Sequence, residues 1–117
     1  MVAVAAALGA VTRHTLDHVV STRARSFPVG TFAVNVSGSL GLGVLVGIVT
    51  LHDLPVVWQI AIGTGFLGAY TTFSTWMVEA VRMMQSGERA RAICYVVASW
   101  AAGTGAAWLG FAIVRAH

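Results

Sequence analysis

The chain has 117 residues, of which 57% are hydrophobic and only 9% carry a charge. A typical soluble domain has about 25% charged residues, so this composition excludes a soluble fold with a polar surface. The net charge of +3 comes from a few arginines near the ends of apolar segments. That distribution indicates membrane orientation and not nucleic-acid binding. We therefore predict a single-domain membrane protein that contacts lipid and has no nucleic-acid partner.

Four apolar segments divide the chain. A helix needs about 20 residues to cross the hydrocarbon core of a bilayer, which is roughly 30 Å thick. Three segments of 20 residues or more contain no charged side chain, and a fourth, at the N-terminus, is apolar over its first half. We predict one four-span domain over residues 1–117, with spans at about 2–20, 32–51, 54–80 and 91–114.

The N-terminal span carries two charged residues, Arg13 and Asp17, one helical turn apart. They can pair on the helix surface, or Arg13 can line a water-filled vestibule, where a fixed cation would concentrate anions. A cleaved signal peptide is the competing interpretation, but it requires a basic residue before the apolar run, and Met1–Thr12 has none. His14 and His18 have a metal-binding spacing, but without further clustered ligands they only weakly indicate a metal site.

The second span carries a stripe of small and polar residues at every fourth position: Asn35, Ser39, Gly43 and Gly47. Residues at this spacing share one helix face, and the glycines favour close packing of another helix. A carboxamide inside a membrane must find a partner or face water. Asn35 is therefore the residue of this stripe that we expect to function, with its amide group donating to an anion.

The third span contains the sequence GAYTTFSTW, residues 68–76, which places the hydroxyls of Thr71, Thr72, Ser74 and Thr75 within an apolar segment. Glycines in and before this sequence weaken the helix, and we predict that it breaks near its middle. A break in a membrane helix is tolerated where it is buried in protein or lines a cavity, and such breaks often bind ions. Phe73 and Trp76 follow on one face, so their partly positive ring edges could face an anion. Simple packing would give the same spacing.

The fourth span repeats Tyr95, Ser99 and Gly103 at every fourth position, so these residues also share one face. The aligned hydroxyls of Tyr95 and Ser99 indicate a polar track along the helix. A hydroxyl that bonds back to its own helix backbone would give the same pattern, so the spacing alone leaves both interpretations open.

Arginines are distributed unequally between the two sides of the membrane. The loops after spans 1 and 3 contain five, and the segment after span 4 contains one: Arg23, Arg25, Arg82, Arg89 and Arg91 against Arg115. By the positive-inside rule, the two arginine-bearing loops are cytoplasmic. With four spans, both termini then lie outside the cell.

Three motifs resemble those of the small bacterial fluoride channels called Fluc or CrcB. LGAVTRH, residues 8–14, is similar to the family's Gly-Ala-x-x-Arg stretch. GTFAVNVSGSLGLG, residues 30–43, resembles its Gly-Thr-x-x-x-Asn-x-x-Gly-Ser signature. GFLGAYTTFSTW, residues 65–76, resembles its Gly-Phe-x-Gly-x-x-Thr-Thr-Phe-Ser-Thr-Phe signature. The last two motifs are long, specific and in the family's order, and the resemblance covers nearly the whole chain.

The resemblance implies an all-α protein of the bacterial inner membrane, with four transmembrane helices per subunit and an antiparallel, dual-topology-type dimer. Two passive fluoride pores would lie at the dimer interface. A structural sodium ion (Na+) would lie at the dimer centre, held by the backbone carbonyls of Gly68 and Thr71, and Arg13 would lie at the vestibule. The residues that would line each pore are Asn35, Phe73, Ser74, Thr75, Trp76, Tyr95 and Ser99.

The chain departs from the family pattern at Trp76, where the second pore phenylalanine is expected. The unequal loop arginines also argue for a fixed orientation. The dimer could therefore pair this chain either with itself or with an oppositely oriented homologous subunit, for which this chain could be a scaffold. A small multidrug antiporter is a less favoured alternative, because it needs a coupling carboxylate in the first helix, where Asp17 stands beside Arg13. No nucleophile–base pair or metal cluster in the sequence indicates an enzyme.

Overall fold

The structure is a computed structural model that describes residues 1–21 and 29–117. The side chains of Val20, Ser21 and Ser74 lie outside the described part. Arg23 and Arg25, which contribute to the predicted orientation, also lie outside the described residues. The orientation therefore stays a prediction from the sequence.

The described residues form helices and no strands, which confirms the all-α prediction. Two of the helices, α2 and α6, are long and apolar enough to cross a membrane. The elements in chain order are α1 (Val2–Ser21), α2 (Val29–Leu51), α3 (Val56–Gln59), a π-helix (Ile60–Leu67), α4 (Gly68–Tyr70), α5 (Phe73–Gln85) and α6 (Arg89–Arg115).

Helices α2 and α6 pack closely, and glycine permits their approach. A β-carbon at Gly43 of α2 would collide with the carbonyl oxygen of Ala107 in α6. A β-carbon at Gly110 of α6 would collide with the carbonyl oxygen of Leu40 in α2. Close backbone approach at small residues is the usual way in which membrane helices associate. It also brings Gly103 of α6 near Ser39 of α2, whose hydroxyl would lie 3.3 Å from a β-carbon at position 103.

The third span has an irregular backbone. Helical hydrogen bonding runs from residue 56 to residue 70 and includes eight residues of π-helix, a rare geometry that often accompanies functional sites. Thr71 (φ −80°, ψ 158°) and Thr72 (φ −146°, ψ 116°) are extended. Helix α5 then begins at Phe73. The peptide groups of Thr71 and Thr72 therefore need partners other than a continuous helix.

Most large apolar side chains face outward. Phe73, Trp100 and Trp108 are 70%, 68% and 66% exposed, whereas Tyr95 is fully buried. A soluble protein would bury such rings, because apolar surface in water is unfavourable. Lipid removes that penalty, so this arrangement suits a protein whose outer surface meets membrane or a second subunit.

We expect Gly110→Ala to lower the free energy of unfolding by roughly 1–3 kcal/mol, because overpacking at this position forces α2 and α6 apart. The matched control is Gly105→Ala in the same helix, where no atom lies within 4 Å of an added β-carbon. Thermal unfolding in detergent compares the two variants. Equal melting temperatures would show that the α2–α6 contact at Gly110 contributes nothing to stability.

Candidate functional site

A pocket of about 450 Å³ lies beside the extended residues of the third span. Its wall is formed by α2, the π-helix, α4, α5, α6 and the extended pair Thr71 and Thr72. None of the described residues that line it is acidic or basic. The lining residues are Asn35, Gly38, Ser39, Leu42, Gly63, Leu67, Gly68, Thr71, Thr72, Phe73, Trp76, Ser99, Trp100, Gly103 and Thr104.

The side chain of Asn35 pairs with the backbone of Thr72 in both directions. Its Nδ2 donates to the Thr72 carbonyl at 2.9 Å, and its Oδ1 accepts from the Thr72 N–H, also at 2.9 Å. The carboxamide thus replaces the helical partners that an extended peptide group lacks. One N–H of the Asn35 amide remains beyond this pair, and the residue lines the pocket.

This pairing releases the carbonyl group of Gly68. In a continuous α-helix the N–H of Thr72 would donate to that carbonyl, four residues earlier, but here it donates to Asn35. The next carbonyl back, that of Leu67, accepts from both the N–H and the hydroxyl of Thr71, each at 3.0 Å. Gly68 and Thr71 both line the pocket.

The extended pair is held by further contacts that the sequence patterns did not reveal. The hydroxyl of Thr72 accepts from the N–H of Thr75 at 3.3 Å and so caps α5. The hydroxyls of Tyr70 and Ser37 are 2.7 Å apart. A β-carbon at Gly38 would collide with the methyl group of Thr71. The glycine in this α2 motif therefore lets the third span approach α2.

The two aromatic residues of the motif form a ring pair at the pocket. The ring centroids of Phe73 and Trp76 are 5.5 Å apart, and their planes meet at 70°, so one ring presents its edge to the other. Such T-shaped pairs are a favoured aromatic geometry. Phe73 is largely exposed, whereas Trp76 is half-buried. The pair therefore places one exposed ring and one half-buried ring in the pocket wall.

Two polar atoms at the pocket are buried without a partner. Neither the indole Nε1 of Trp76 nor the hydroxyl of Ser99 contacts water, and neither finds a hydrogen-bond partner among the described residues. Both residues line the pocket, from α5 and α6 respectively. Buried polar groups in proteins are nearly always hydrogen-bonded, so two such atoms at one pocket are unusual.

Tyr95 does not line the pocket with Ser99. It packs in a buried cluster with Ala80, Met83 and Ala92, against which Trp76 also packs. Thr31 and Glu79 form a polar contact outside the pocket: the hydroxyl of Thr31 donates to a carboxylate oxygen of Glu79 at 2.5 Å. The pairing of Thr31 with Glu79 joins residues 48 positions apart, and no local sequence pattern indicates it.

The remaining predicted site residues lie apart from the pocket or outside the description. Thr75 is exposed, and only its backbone takes part, through the cap on α5. Arg13 is half-buried on α1 and does not line the pocket. The side chain of Ser74 lies outside the described residues. Of the predicted residues, the structure thus brings together Asn35, Phe73, Trp76 and Ser99 with Gly68 and Thr71.

A family model described as "CrcB-like protein, Camphor Resistance (CrcB)" matches residues 1–111. This chain belongs to the CrcB family. The match confirms the resemblance that the three motifs indicated, and membership of this family places the chain in a membrane.

Curated CrcB relatives resemble the chain over nearly its whole length. It is 47% identical over 110 residues to "Fluoride-specific ion channel FluC 1" of Leifsonia xyli subsp. xyli, covering 93% of this chain and 80% of the relative. It is 43% identical over 114 residues to "Fluoride-specific ion channel FluC" of Acidobacterium capsulatum, covering 96% and 91%. It is 47% identical over 111 residues to "Fluoride-specific ion channel FluC 2" of Rhodococcus jostii, covering 95% and 93%.

We expect Asn35→Leu in this CrcB chain to lower the free energy of unfolding by about 1–3 kcal/mol, because both polar groups of Thr72 lose a buried partner. If the carbonyl groups of Gly68 and Thr71 bind sodium, the wild type should also melt at a higher temperature in Na+ than in N-methylglucamine, and Asn35→Leu should reduce this difference.

The matched control is Ser39→Ala, one turn along the same face of α2 in the same pocket. It leaves the Asn35 pair in place, so it should keep both the stability and the sodium effect. Thermal unfolding in the two salts measures this. An Asn35→Leu variant as stable as Ser39→Ala would refute the role assigned to the Asn35–Thr72 pair.

Proposed function

We propose that this chain forms a passive, fluoride-specific ion channel and that the pocket beside Thr71 and Thr72 is part of its permeation path. The observation that carries the proposal is the chemistry of the pocket wall: amide, hydroxyl and aromatic groups between membrane helices, without a carboxylate. Curated relatives at 43–47% identity are named fluoride-specific ion channels. They are channels and not enzymes, in keeping with the absence of catalytic patterns in the sequence.

The donors at the pocket suit a small, strongly hydrated anion. A selective pore must replace the hydration shell of its ion and exclude larger ions by width. Here the second N–H of Asn35, the hydroxyl of Ser99 and the ring edges of Phe73 and Trp76 would supply partly positive groups. A carboxylate lining the pocket would repel the anion, and none of the described lining residues carries one. The same absence disfavours a cation antiporter, which needs an acidic residue to exchange protons for its substrate.

An antiparallel dimer would complete the pore. Phe73 and Trp100 line the pocket and are 70% and 68% exposed. A second subunit against this face would cover these rings and supply the missing wall. Two equivalent pores would then lie at the interface, one for each copy of the pocket.

A sodium ion at the dimer centre would be held by the carbonyl groups of Gly68 and Thr71. The pairing of Asn35 with Thr72 supports this fit, because it removes the helical donor from the Gly68 carbonyl. The extended conformation of Thr71 turns its own carbonyl away from the helix direction. We propose on this basis that the third span is a broken membrane helix whose free carbonyls bind a structural cation. The ion would also offset the negative end of the helix dipole.

Passive transport suffices for fluoride export from bacteria. Weakly acidic HF crosses membranes unaided, dissociates in a neutral cytoplasm and leaves fluoride trapped inside. A membrane potential that is negative inside drives an anion outward at about 2.3 kcal/mol per 100 mV. A selective pore in the inner membrane would therefore lower cytoplasmic fluoride without an energy source of its own.

The orientation of the chain bears on its partner. Arg82, Arg89 and Arg91 flank the α5–α6 loop and are exposed, whereas only Arg115 stands at the opposite end of α6. We propose that this loop is cytoplasmic and that both termini face outward. A chain with one fixed orientation would need an oppositely oriented homologous subunit to build an antiparallel dimer. A chain inserted both ways would pair with itself. In the paired arrangement this chain would act as scaffold as well as pore wall.

We expect liposomes that contain this chain to release loaded fluoride, but not chloride, when a potassium ionophore allows charge to balance. Phe73→Ile should reduce fluoride release to the rate of protein-free liposomes, because it removes the exposed ring of the Phe73–Trp76 pair. A fluoride electrode measures the release. Phe111→Ile, in α6 and outside the pocket, is the matched control and should conduct normally. Wild-type flux in Phe73→Ile would rule out this pocket as the path.

We expect a cysteine at position 86 (Ser86→Cys, with Cys94→Ala) to react with a membrane-impermeant maleimide only after cells are permeabilised, because the α5–α6 loop would be cytoplasmic. Asp53→Cys in the same background lies in the opposite loop and should react in intact cells. Gel-shift labelling measures both. Labelling of about half of each variant in intact cells would show dual insertion, and the chain would then pair with itself.

A further inference from the structure

We propose that the indole N–H of Trp76 and the hydroxyl of Ser99 form a donor pair that binds one dehydrated anion between α5 and α6. The donor pair rests on the proposed function, in which that anion is fluoride. It assigns Trp76 a hydrogen-bonding role that a phenylalanine at this position could not have.

The burial of these two polar atoms supports the donor pair. Both are buried, and neither has a hydrogen-bond partner among the described residues. An indole N–H can only donate, so Trp76 cannot satisfy its N–H by accepting a bond. A buried donor without a partner destabilises the fold. The protein therefore keeps an unfavourable group at the pocket, and binding of an anion would remove the penalty.

The positions of Trp76 and Ser99 also support a shared anion site. Trp76 lies in α5 and Ser99 lies in α6, yet both line one pocket with the amide of Asn35. Trp76 also packs against the buried cluster that contains Tyr95. On another side its ring forms the T-shaped pair with the ring of Phe73. Contacts on these sides restrict the indole to a narrow range of orientations. A donor held in this way loses little conformational freedom when an anion binds.

The surroundings of the two atoms support the donor pair as well. None of the described residues that line the pocket carries a carboxylate that would compete with an anion for these donors. Because neither donor atom contacts water, an anion must shed its water to reach them, and a slight separation of α5 and α6 must admit it. Hydrogen bonds to a charged partner are about twice as strong as neutral ones and strengthen where water is excluded. These conditions favour a small anion over a larger halide.

The consequence is a tighter fluoride site than ring edges alone would provide. Trp76→Phe keeps an aromatic ring but removes the N–H, so we expect it to weaken fluoride binding about tenfold or more. Ser99→Ala should weaken binding as well. Since both donors would contact the same ion, the double variant should lose less than the product of the two single effects.

The test is a two-dimensional ¹H–¹⁵N spectrum of the full chain in lipid nanodiscs. The chain has four tryptophans, so the indole region should show four N–H signals, and the signal absent from Trp76→Phe belongs to Trp76. Sodium is held constant while fluoride replaces gluconate. We expect the Trp76 indole proton to move downfield with saturation on adding fluoride and to stay in place on adding chloride. The indole signal of Trp58, which does not line the pocket, is the internal control.

The same spectrum separates failure of the donor pair from failure of the proposed function. If the side-chain NH₂ signal of Asn35 responds to fluoride and the Trp76 indole signal does not, the donor pair is overturned and the pore proposal stands. If neither signal responds to fluoride and liposome flux is absent, both proposals fall. Equal response of the Trp76 signal to fluoride and chloride would also overturn the donor pair, since it would show no selection for a small anion.

Discussion

The pairing of the Asn35 carboxamide with the peptide groups of Thr72 is the contact on which the pocket depends. In a bilayer an unsatisfied backbone group costs several kcal/mol, so spanning segments are normally continuous helices. An extended pair of residues inside an apolar span can persist only if side chains replace the helical partners. Because the bonds run in both directions at 2.9 Å, they also set the register of α2 against the third span. The positions of the neighbouring donors follow from that register.

Glycine makes this register possible. At Gly38 the methyl group of Thr71 occupies the space of a β-carbon, and at Gly43 and Gly110 the backbones of α2 and α6 occupy it. These approaches bring α2 and α6 together beside the pocket, which Ser99 of α6 and Trp76 of α5 both line. The exposed rings of Phe73 and Trp100 suit a membrane protein, because a lipid or a second subunit can cover apolar surface that would be unfavourable in water.

Part of the site could be predicted from the sequence. The sequence predicts a role for Asn35, because a carboxamide in an apolar span must find a hydrogen-bond partner or face water. In the structure Asn35 lines the pocket. The pattern predicted that its amide donates to an anion; the structure adds that one N–H and the carbonyl oxygen pair with Thr72, which leaves the second N–H for that predicted role. Tyr95 and Ser99 share a helix face by spacing, yet the packing of Ala80 and its neighbours encloses Tyr95, whereas Ser99 reaches the pocket. Spacing defines a face but not what covers it.

The sequence by itself determined the class of the protein and its family. Apolar length, scarcity of charge and motif order are properties of neighbouring residues, and they can be read without any contact. Only the tertiary structure decided which group pairs with Thr72, that Thr31 meets Glu79, and that the buried N–H of Trp76 has no partner among the described residues. The physical reason is distance along the chain. These pairings join residues 37 and 48 positions apart, and no local periodicity encodes them.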